Sequence, residues 1–225
     1  MTVLSSSETA LRKHRILIVD DHPIVRHGLS ELITQEPDLE VCGEAGDPAE
    51  AMRQVRETMP DVVIIDLSLK SGHGIELIEQ IRAQYPSIRM LVSSVHDESL
   101  FAERVLRAGA AGYVNKQEAT EKVIEAIRHV LEGEIYLSTH TSNRLLRSVV
   151  SGEPSGQNPI QSLSNRELEV FEMIGQGLAT KQIAARLKLS PKTVETHREK
   201  IKKKLNLTNS TELSRHAVQW VLENR

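Results

Sequence analysis

Arg15-Ile16-Leu17-Ile18-Val19-Asp20-Asp21-His22-Pro23 is the stretch on which the fold turns. Four apolar residues, three of them β-branched, suit a strand buried on both faces. Two carboxylates end it, and Pro23 brings the fixed φ with which a helix can start. The pattern returns in Asp61-Val62-Val63-Ile64-Ile65-Asp66, and shorter strand runs read at Leu39–Glu44, Ile88–Ser93 and Gly112–Asn115. Between them helical periodicity spans Pro23 to Gln35, Pro48 to Thr58, Ile75 to Gln84, Glu98 to Ala108 and Thr120 to Leu131. This alternation predicts an α/β doubly wound (βα)5 domain with a parallel sheet whose first and third strands lie inside.

In such a sheet the ligand crevice lies beyond the carboxyl ends of the strands. Those ends carry Asp20 and Asp21, Asp66, Ser93 and Ser94, and Lys116. Acids this close raise one another's pKa unless a cation neutralises them, and hard oxygen ligands suit Mg2+. A carboxylate beside Mg2+ and a lysine can attack a phosphoryl group, because both cations offset charge on the phosphoryl oxygens. Asp66 is the candidate nucleophile. The competing reading has Asp20 and Asp21 merely capping the next helix, and it weakens because Lys116 falls at the matching strand end.

After residue 137 the pattern changes. Residues 1–137 carry 14 Lys+Arg against 23 Asp+Glu, a balance of −9, whereas 138–225 carry 14 against 8, a balance of +6. Opposite signs suggest two partners, one of them a polyanion. A Ser/Gly/Pro-rich stretch, Ser151 to Pro159, has the composition of a linker. Four helical segments follow, at about Asn165–Ile174, Thr180–Leu187, Pro191–Leu205 and Ser210–Leu222. Lys181 to Leu187 is amphipathic, Lys188-Leu189 makes a short turn, and Ser190-Pro191 offers a capping hydroxyl and a first-turn proline to a basic helix. That is a helix-turn-helix pattern, in which the early residues of the second helix face base edges. Val194 and Ile201, seven apart, read as core. The expected domains are 14–135, a linker over 136–159 and a small all-α domain of four helices over 160–225.

The single cysteine, Cys42, excludes an intrachain disulfide, reads as a buried strand residue and fits a reducing, cytoplasmic setting. No apolar run reaches membrane-spanning length, and no membrane partner is expected.

Ile18-Val19-Asp20-Asp21-His22-Pro23, Val63-Ile64-Ile65-Asp66-Leu67, Ser94 and Ala108 to Lys116 together resemble response-regulator receiver domains, over about residues 14–135. The resemblance implies that Asp66 is the phosphoacceptor, that Asp20, Asp21, Asp66 and the backbone carbonyl of Ser68 hold Mg2+, and that Lys116 contacts the phosphoryl group. It also implies a switch hydroxyl at Ser94 and a switch aromatic at Tyr113. For Tyr113 the alternative is a half-buried ring with its hydroxyl in water. Two departures stand out: no Met-Pro pair follows the acceptor (Leu67-Ser68-Leu69-Lys70-Ser71-Gly72), and Gln117 stands where many receivers carry proline.

Leu163 to Val170, Gly177 to Ala184, Ser190 to His197, Ile201 and Lys204-Leu205 resemble the LuxR-type DNA-binding domain, over about residues 160–222. The order of domains resembles the NarL/FixJ family of transcriptional response regulators. That implies a sensor histidine kinase and double-stranded DNA as partners and a homodimer when phosphorylated or DNA-bound. No catalytic turnover is expected beyond self-phosphorylation and self-dephosphorylation. By the same resemblance Thr193, Glu195, Thr196 and Glu199 face the major groove. Lys192, Arg198 and Lys202 or Lys203 approach phosphates, with Lys181 and His197 completing the DNA-facing set. Glu195 and Glu199 replace the lysine often found there; a glutamate can accept from cytosine N4 but repels phosphate. The last helix, with Leu213, Ala217, Val218, Trp220 and Val221, serves dimerisation in the family or packs on its own domain. A Mg2+-dependent phosphohydrolase is the main rival, and it lacks a second acid two residues beyond either candidate nucleophile, where His22 and Ser68 stand. A helical adaptor that binds no DNA is a second rival.

Overall fold

Five parallel strands form one sheet in the order β2-β1-β3-β4-β5, and the computed structural model describes residues 12–69, 73–117, 121–150 and 159–223. The first unit runs β1 (His14–Val19), α1 (Pro23–Thr34), β2 (Leu39–Ala45), α2 (Pro48–Thr58), β3 (Val62–Ile65), α3 (Gly74–Gln84), β4 (Arg89–Ser94), α4 (Glu98–Ala108), β5 (Gly112–Asn115) and α5 (Glu121–Glu132). Interior placement of β1 and β3 follows from their unbroken apolar runs: Ile16 to Val19 and Val62 to Ile65 are all essentially solvent-free. Odd and even residues serve opposite faces. Leu17, Val19, Val63 and Ile65 pack under α2, α3 and α4, while Ile16, Ile18, Val62 and Ile64 pack under α1 and α5.

Cys42 is half-buried, not buried as expected. β2 is an edge strand, and its register against β1 jumps from Val41 to Gly43, so Cys42 is the extra residue of a bulge. Its thiol lies 3.5 Å from the Thr58 hydroxyl, and burial pushes its pKa up.

Gly74 opens α3 where the chain returns past the end of β3. A Cβ there would run into the Asp66 carbonyl oxygen and lie 2.8 Å from Leu67 Cα. Gly74→Ala is therefore expected to destabilise the fold by about 1–3 kcal/mol through forced displacement of backbone. Chemical denaturation measures this, and an unchanged midpoint would contradict the close approach.

The second unit comprises α7 (Asn165–Gly175), α8 (Thr180–Arg186), α9 (Pro191–Lys204) and α10 (Ser210–Glu223), entered through a 3-10 turn at Pro159–Ser162. Ser164 and Glu167 close a capping box on α7, and the Ser190 hydroxyl accepts from the Thr193 N–H at 3.0 Å to cap α9. Val194 and Ile201 are fully buried, as their spacing predicts.

The stretch expected as linker contains a further helix, α6 (Thr139–Val150). Its first six residues are polar, which confines its apolar residues Leu145, Leu146, Val149 and Val150 to the second half, and its N-terminus is capped locally, the Ser138 hydroxyl accepting from the Thr141 N–H at 3.2 Å. Glu98 of α4 accepts from the Ser138 N–H at 2.8 Å and from the Thr141 hydroxyl at 2.8 Å. Residues 151–158, the centre of that stretch, lie outside the described residues, as do residues 70–72 in the loop after β3 and Thr120. Arg104 of α4 ties the two units together, donating to the Leu163 carbonyl at 2.8 Å and the Ile160 carbonyl at 3.1 Å. Ile160 and Leu163 join the apolar cluster containing Phe101 and Val105 of α4. Among the described residues no helix is long and apolar enough to cross a membrane.

Candidate functional site

The parallel register sets Val19 opposite Ile65, so the residues that follow, Asp20 and Asp66, emerge side by side at the carboxyl edge. Lys116 is placed by its own backbone, its N–H donating to the Ser94 carbonyl at 2.8 Å as β5 ends. Its ammonium lies 2.6 Å from Asp20 Oδ2 and 2.9 Å from Asp66 Oδ2. Asp20, Asp21 and Asp66 are all buried. Neither Asp20 nor Asp21 caps α1, whose N-cap is His22 with no side-chain cap bond. Asp20 Oδ1 accepts instead from the His22 N–H at 2.8 Å.

Burial pushes the Asp66 carboxyl above its ordinary pKa, with Lys116 opposing and Asp20 reinforcing the shift. Burial alone would lower Lys116, but the Asp66 and Asp20 carboxylates outweigh it and hold the ammonium above its usual range. Two carboxylate oxygens, Asp21 Oδ1 and Asp66 Oδ1, are buried without a conventional hydrogen bond; Asp21 Oδ1 faces only the His22 ring, and Asp66 Oδ1 faces no side-chain donor among the described residues. Such orphaned acceptors are costly unless a cation meets them. Ligand atoms of Asp20, Asp21, His22 and Asp66 lie within 4.8 Å of one another, an acidic cluster able to hold a metal ion. Sequence reading had Asp20, Asp21 and Asp66 but not His22, whose Nδ1 stands 2.7 Å from Asp21 Oδ1.

Ser94 is buried, and its hydroxyl accepts from the His96 N–H at 3.3 Å. Tyr113 is not half-buried with a wet hydroxyl. It is buried, its hydroxyl donates to the His96 carbonyl at 2.9 Å, and burial pushes its pKa well above the ordinary value. Both side chains therefore act on the backbone of one residue, His96.

His96 leads into a contact that the sequence reading missed. Its Nδ1 lies 2.7 Å from Glu172 Oε2, and its Nε2 lies 2.9 Å from the Ser68 hydroxyl and 3.4 Å from Glu169 Oε1. Both glutamates belong to α7 of the second unit. His73 Nε2 approaches Glu169 at 3.3 Å, and Arg166 pairs with the same carboxylate at 2.6 Å. Burial alone would lower His96, yet Glu169 and Glu172 raise it to about 10. The same two histidines overcome burial at Glu169 and hold it well below the usual carboxylate range. On the other rim Lys188, in the α8–α9 turn, pairs with Asp21 Oδ2. The only signal in sequence was a pair of acids, three apart, inside the otherwise apolar run of α7.

On the helix-turn-helix unit Lys181, Lys192, Glu195, Thr196, Glu199 and Lys203 are exposed, and Thr193, Arg198 and Lys202 are half-buried. Glu195 accepts from the Thr180 hydroxyl at 2.6 Å, and Glu199 pairs with Lys202 at 2.9 Å. His197 is set apart from this surface: it is half-buried, its Nδ1 is shielded without a partner, and burial lowers its pKa. On α10, Leu213 and Ala217 are internal, while Val218 and Leu222 are exposed beside Thr211, Arg215 and Gln219.

Residues 16–128 match the family "Response regulator receiver domain", and residues 161–217 match "Bacterial regulatory proteins, luxR family". The chain is 36% identical over 211 residues to the oxygen regulatory protein NreC of Staphylococcus epidermidis, covering 91% of this chain and 97% of that one. Against NreC of Staphylococcus haemolyticus identity is 37% over 210 residues, with the same coverage. A structure of RcsB from Salmonella enterica serovar Typhimurium, bound to promoter rprA with the phosphomimetic BeF3−, is 28% identical. It covers 92% of this chain and 99% of that one, with a TM-score of 0.60. A LuxR-family two-component response regulator from Aurantimonas sp. SI85-9A1 is 39% identical, covering 61% of this chain and 99% of that one at a TM-score of 0.57. With an acidic strand-end pocket in one unit and a capped helix-turn-helix in the other, the chain belongs to the NarL/FixJ family of response regulators, a receiver domain joined to a LuxR-type DNA-binding domain.

Proposed function

We propose that Asp66 accepts a phosphoryl group from a sensor histidine kinase or a small phosphodonor, and that the resulting switch controls DNA binding and transcription. The observation that carries this is the free, buried Oδ1 of Asp66, whose neighbouring oxygen is paired with Lys116 at 2.9 Å. Oδ1 forms the new bond to phosphorus, the donor's bond breaks, and the donor leaves with its electron pair. Asp20, Asp21, Asp66 and the Ser68 backbone carbonyl would hold Mg2+, whose charge would offset that of the phosphoryl oxygens. Lys116 meets one of those oxygens. Ser94 turns its hydroxyl toward the new charge, releasing the His96 N–H, and Tyr113 follows the same backbone.

The receiver spans 14–135 and the effector domain 160–225, joined through 136–159. Lys181, Lys192, Arg198, Lys202 and Lys203 contact phosphates; Thr193, Glu195, Thr196 and Glu199 read bases, with His197 behind them. The apolar patch at Val218 and Leu222 pairs two copies as a homodimer on DNA. The chain acts in the cytoplasm and turns over no substrate beyond its own phosphorylation and dephosphorylation.

Intact-mass measurement tests the reading. With acetyl phosphate and Mg2+ the protein should gain a single phosphoryl group that hydroxylamine removes, and retention on duplex DNA should then rise and fall steeply with salt. No Mg2+-dependent gain of mass would overturn the acceptor assignment.

A further inference from the structure

The effector domain does more than lie beside the receiver; it straddles the acidic pocket. Glu169 of α7 reaches the Ser68 hydroxyl at 3.3 Å on one rim, and Lys188 pairs with Asp21 on the other. Asp20 and Asp66 already share Lys116, so Asp21 is the one pocket carboxylate whose ammonium comes from the second domain. Lys188 is also an odd residue for its place. It occupies the turn between α8 and α9 with φ of 55°, a left-handed conformation that Gly or Asn adopts at lower cost. The turn itself, closed by the Leu189 N–H donating to the Ala184 carbonyl at 2.8 Å, gives no reason for a long cationic side chain.

We propose that Lys188 is a tethered cation for the acidic pocket, so that docking of the effector domain and loading of the pocket with a hard divalent cation exclude each other. Asp21 Oδ2 cannot face both an ammonium and a metal, and two further positive charges beside Lys116 and Lys188 would over-neutralise three carboxylates. Divalent cation alone, before any phosphoryl transfer, then shifts the chain toward the undocked arrangement, and docking lowers the apparent affinity for the ion by the fraction of molecules that are closed. This rests on the reading of the pocket as the receiver's Mg2+ site.

The test uses the full chain without phosphodonor, at ionic strength held constant with NaCl, because an ion pair with a half-exposed partner is sensitive to salt. Calorimetric titration with Mg2+ should show Lys188→Gln binding about tenfold more tightly than wild type, as expected if roughly nine molecules in ten are docked. Lys188→Arg, which keeps the charge, should return to the wild-type affinity. Small-angle scattering should show the wild-type radius of gyration increasing with Mg2+ and that of Lys188→Gln already increased without it. Equal Mg2+ affinities in wild type and Lys188→Gln would overturn this inference and leave the pocket reading intact. Failure of all three proteins to bind Mg2+ would overturn both.

Discussion

Asp66→Asn is expected to reduce phosphoryl uptake from acetyl phosphate by roughly a thousandfold or more, to background, because a displaced nucleophile removes the whole reacting unit. No neighbour can substitute. Asp20 has Oδ1 held by the His22 N–H and Oδ2 by Lys116. Asp21 has Oδ2 on Lys188, and its Oδ1 faces the His22 ring at 2.7 Å. Only Asp66 combines a free oxygen with contact to Lys116. The variant should fold as well as wild type, or better. Burial raises the Asp66 pKa, so the folded chain binds this proton more tightly than the unfolded chain does, and the carboxyl opposes folding as pH rises above about 4. A neutral amide removes that opposition and can still accept from Lys116. Labelling that persists in a variant with unchanged melting temperature would assign the acceptor elsewhere; DNA retention in Asp66→Asn should no longer respond to phosphodonor.

The receiver fold was legible because each of its strands is decided locally. Ile16 to Val19 and Val62 to Ile65 are apolar throughout, and an interior parallel strand demands just that. Asp20, Asp66 and Lys116 were legible for a related reason: a parallel sheet brings residues at strand ends to one edge whatever the intervening helices do. The helix-turn-helix was legible from Ser190-Pro191 and the period of Val194 and Ile201. Three features were not. Helix α6 has a local cap, the Ser138 hydroxyl accepting from the Thr141 N–H, but its opening residues are polar and share the composition of a linker, and the Glu98 carboxylate that holds the cap lies about 40 residues away in sequence. Cys42 looked like any strand residue because a bulge at an edge depends on the partner strand's register. The pairing of His73 and His96 with Glu169 and Glu172 depends on how the two units meet. The trace is the pair Glu169 and Glu172 set inside the apolar run of α7; with Glu167 they prove to be buried beside Leu168, Val170 and Phe171. A helix with charges on its buried side has either an internal cation or a docking partner. Here Lys204 serves Glu167, and the receiver's histidines serve the other two.

That division leads to the second large expectation. Glu169→Gln should release the effector domain from the receiver, since removing one partner of a buried ion pair costs about 3–5 kcal/mol, and should raise the DNA affinity of the unphosphorylated chain about tenfold, the ceiling when roughly nine molecules in ten are docked. The substitution leaves His96, His73 and Arg166 facing a neutral amide inside a dry contact, whereas in the released state those groups are solvated. The docking should also depend on pH, and the sign follows from His96. Docked, its pKa is raised to about 10 from an ordinary 6.5, so protonated His96 favours docking fully below pH 6.5, and that support drains away as pH rises toward 10. Glu169 acts oppositely: held below its ordinary 4.5, it supports docking above that value and loses the effect as pH falls through the depressed pKa. Docking is therefore strongest between those ordinary values, and each pH unit above 6.5 should weaken it by up to about tenfold. Fluorescence anisotropy with a labelled duplex at fixed ionic strength, from pH 6.5 to about 8.5, should show wild-type affinity climbing while Glu169→Gln starts high and stays nearly flat. A wild-type profile as flat as that of the variant would show that the histidine–glutamate contact does not govern release, even with the two domains arranged as they are.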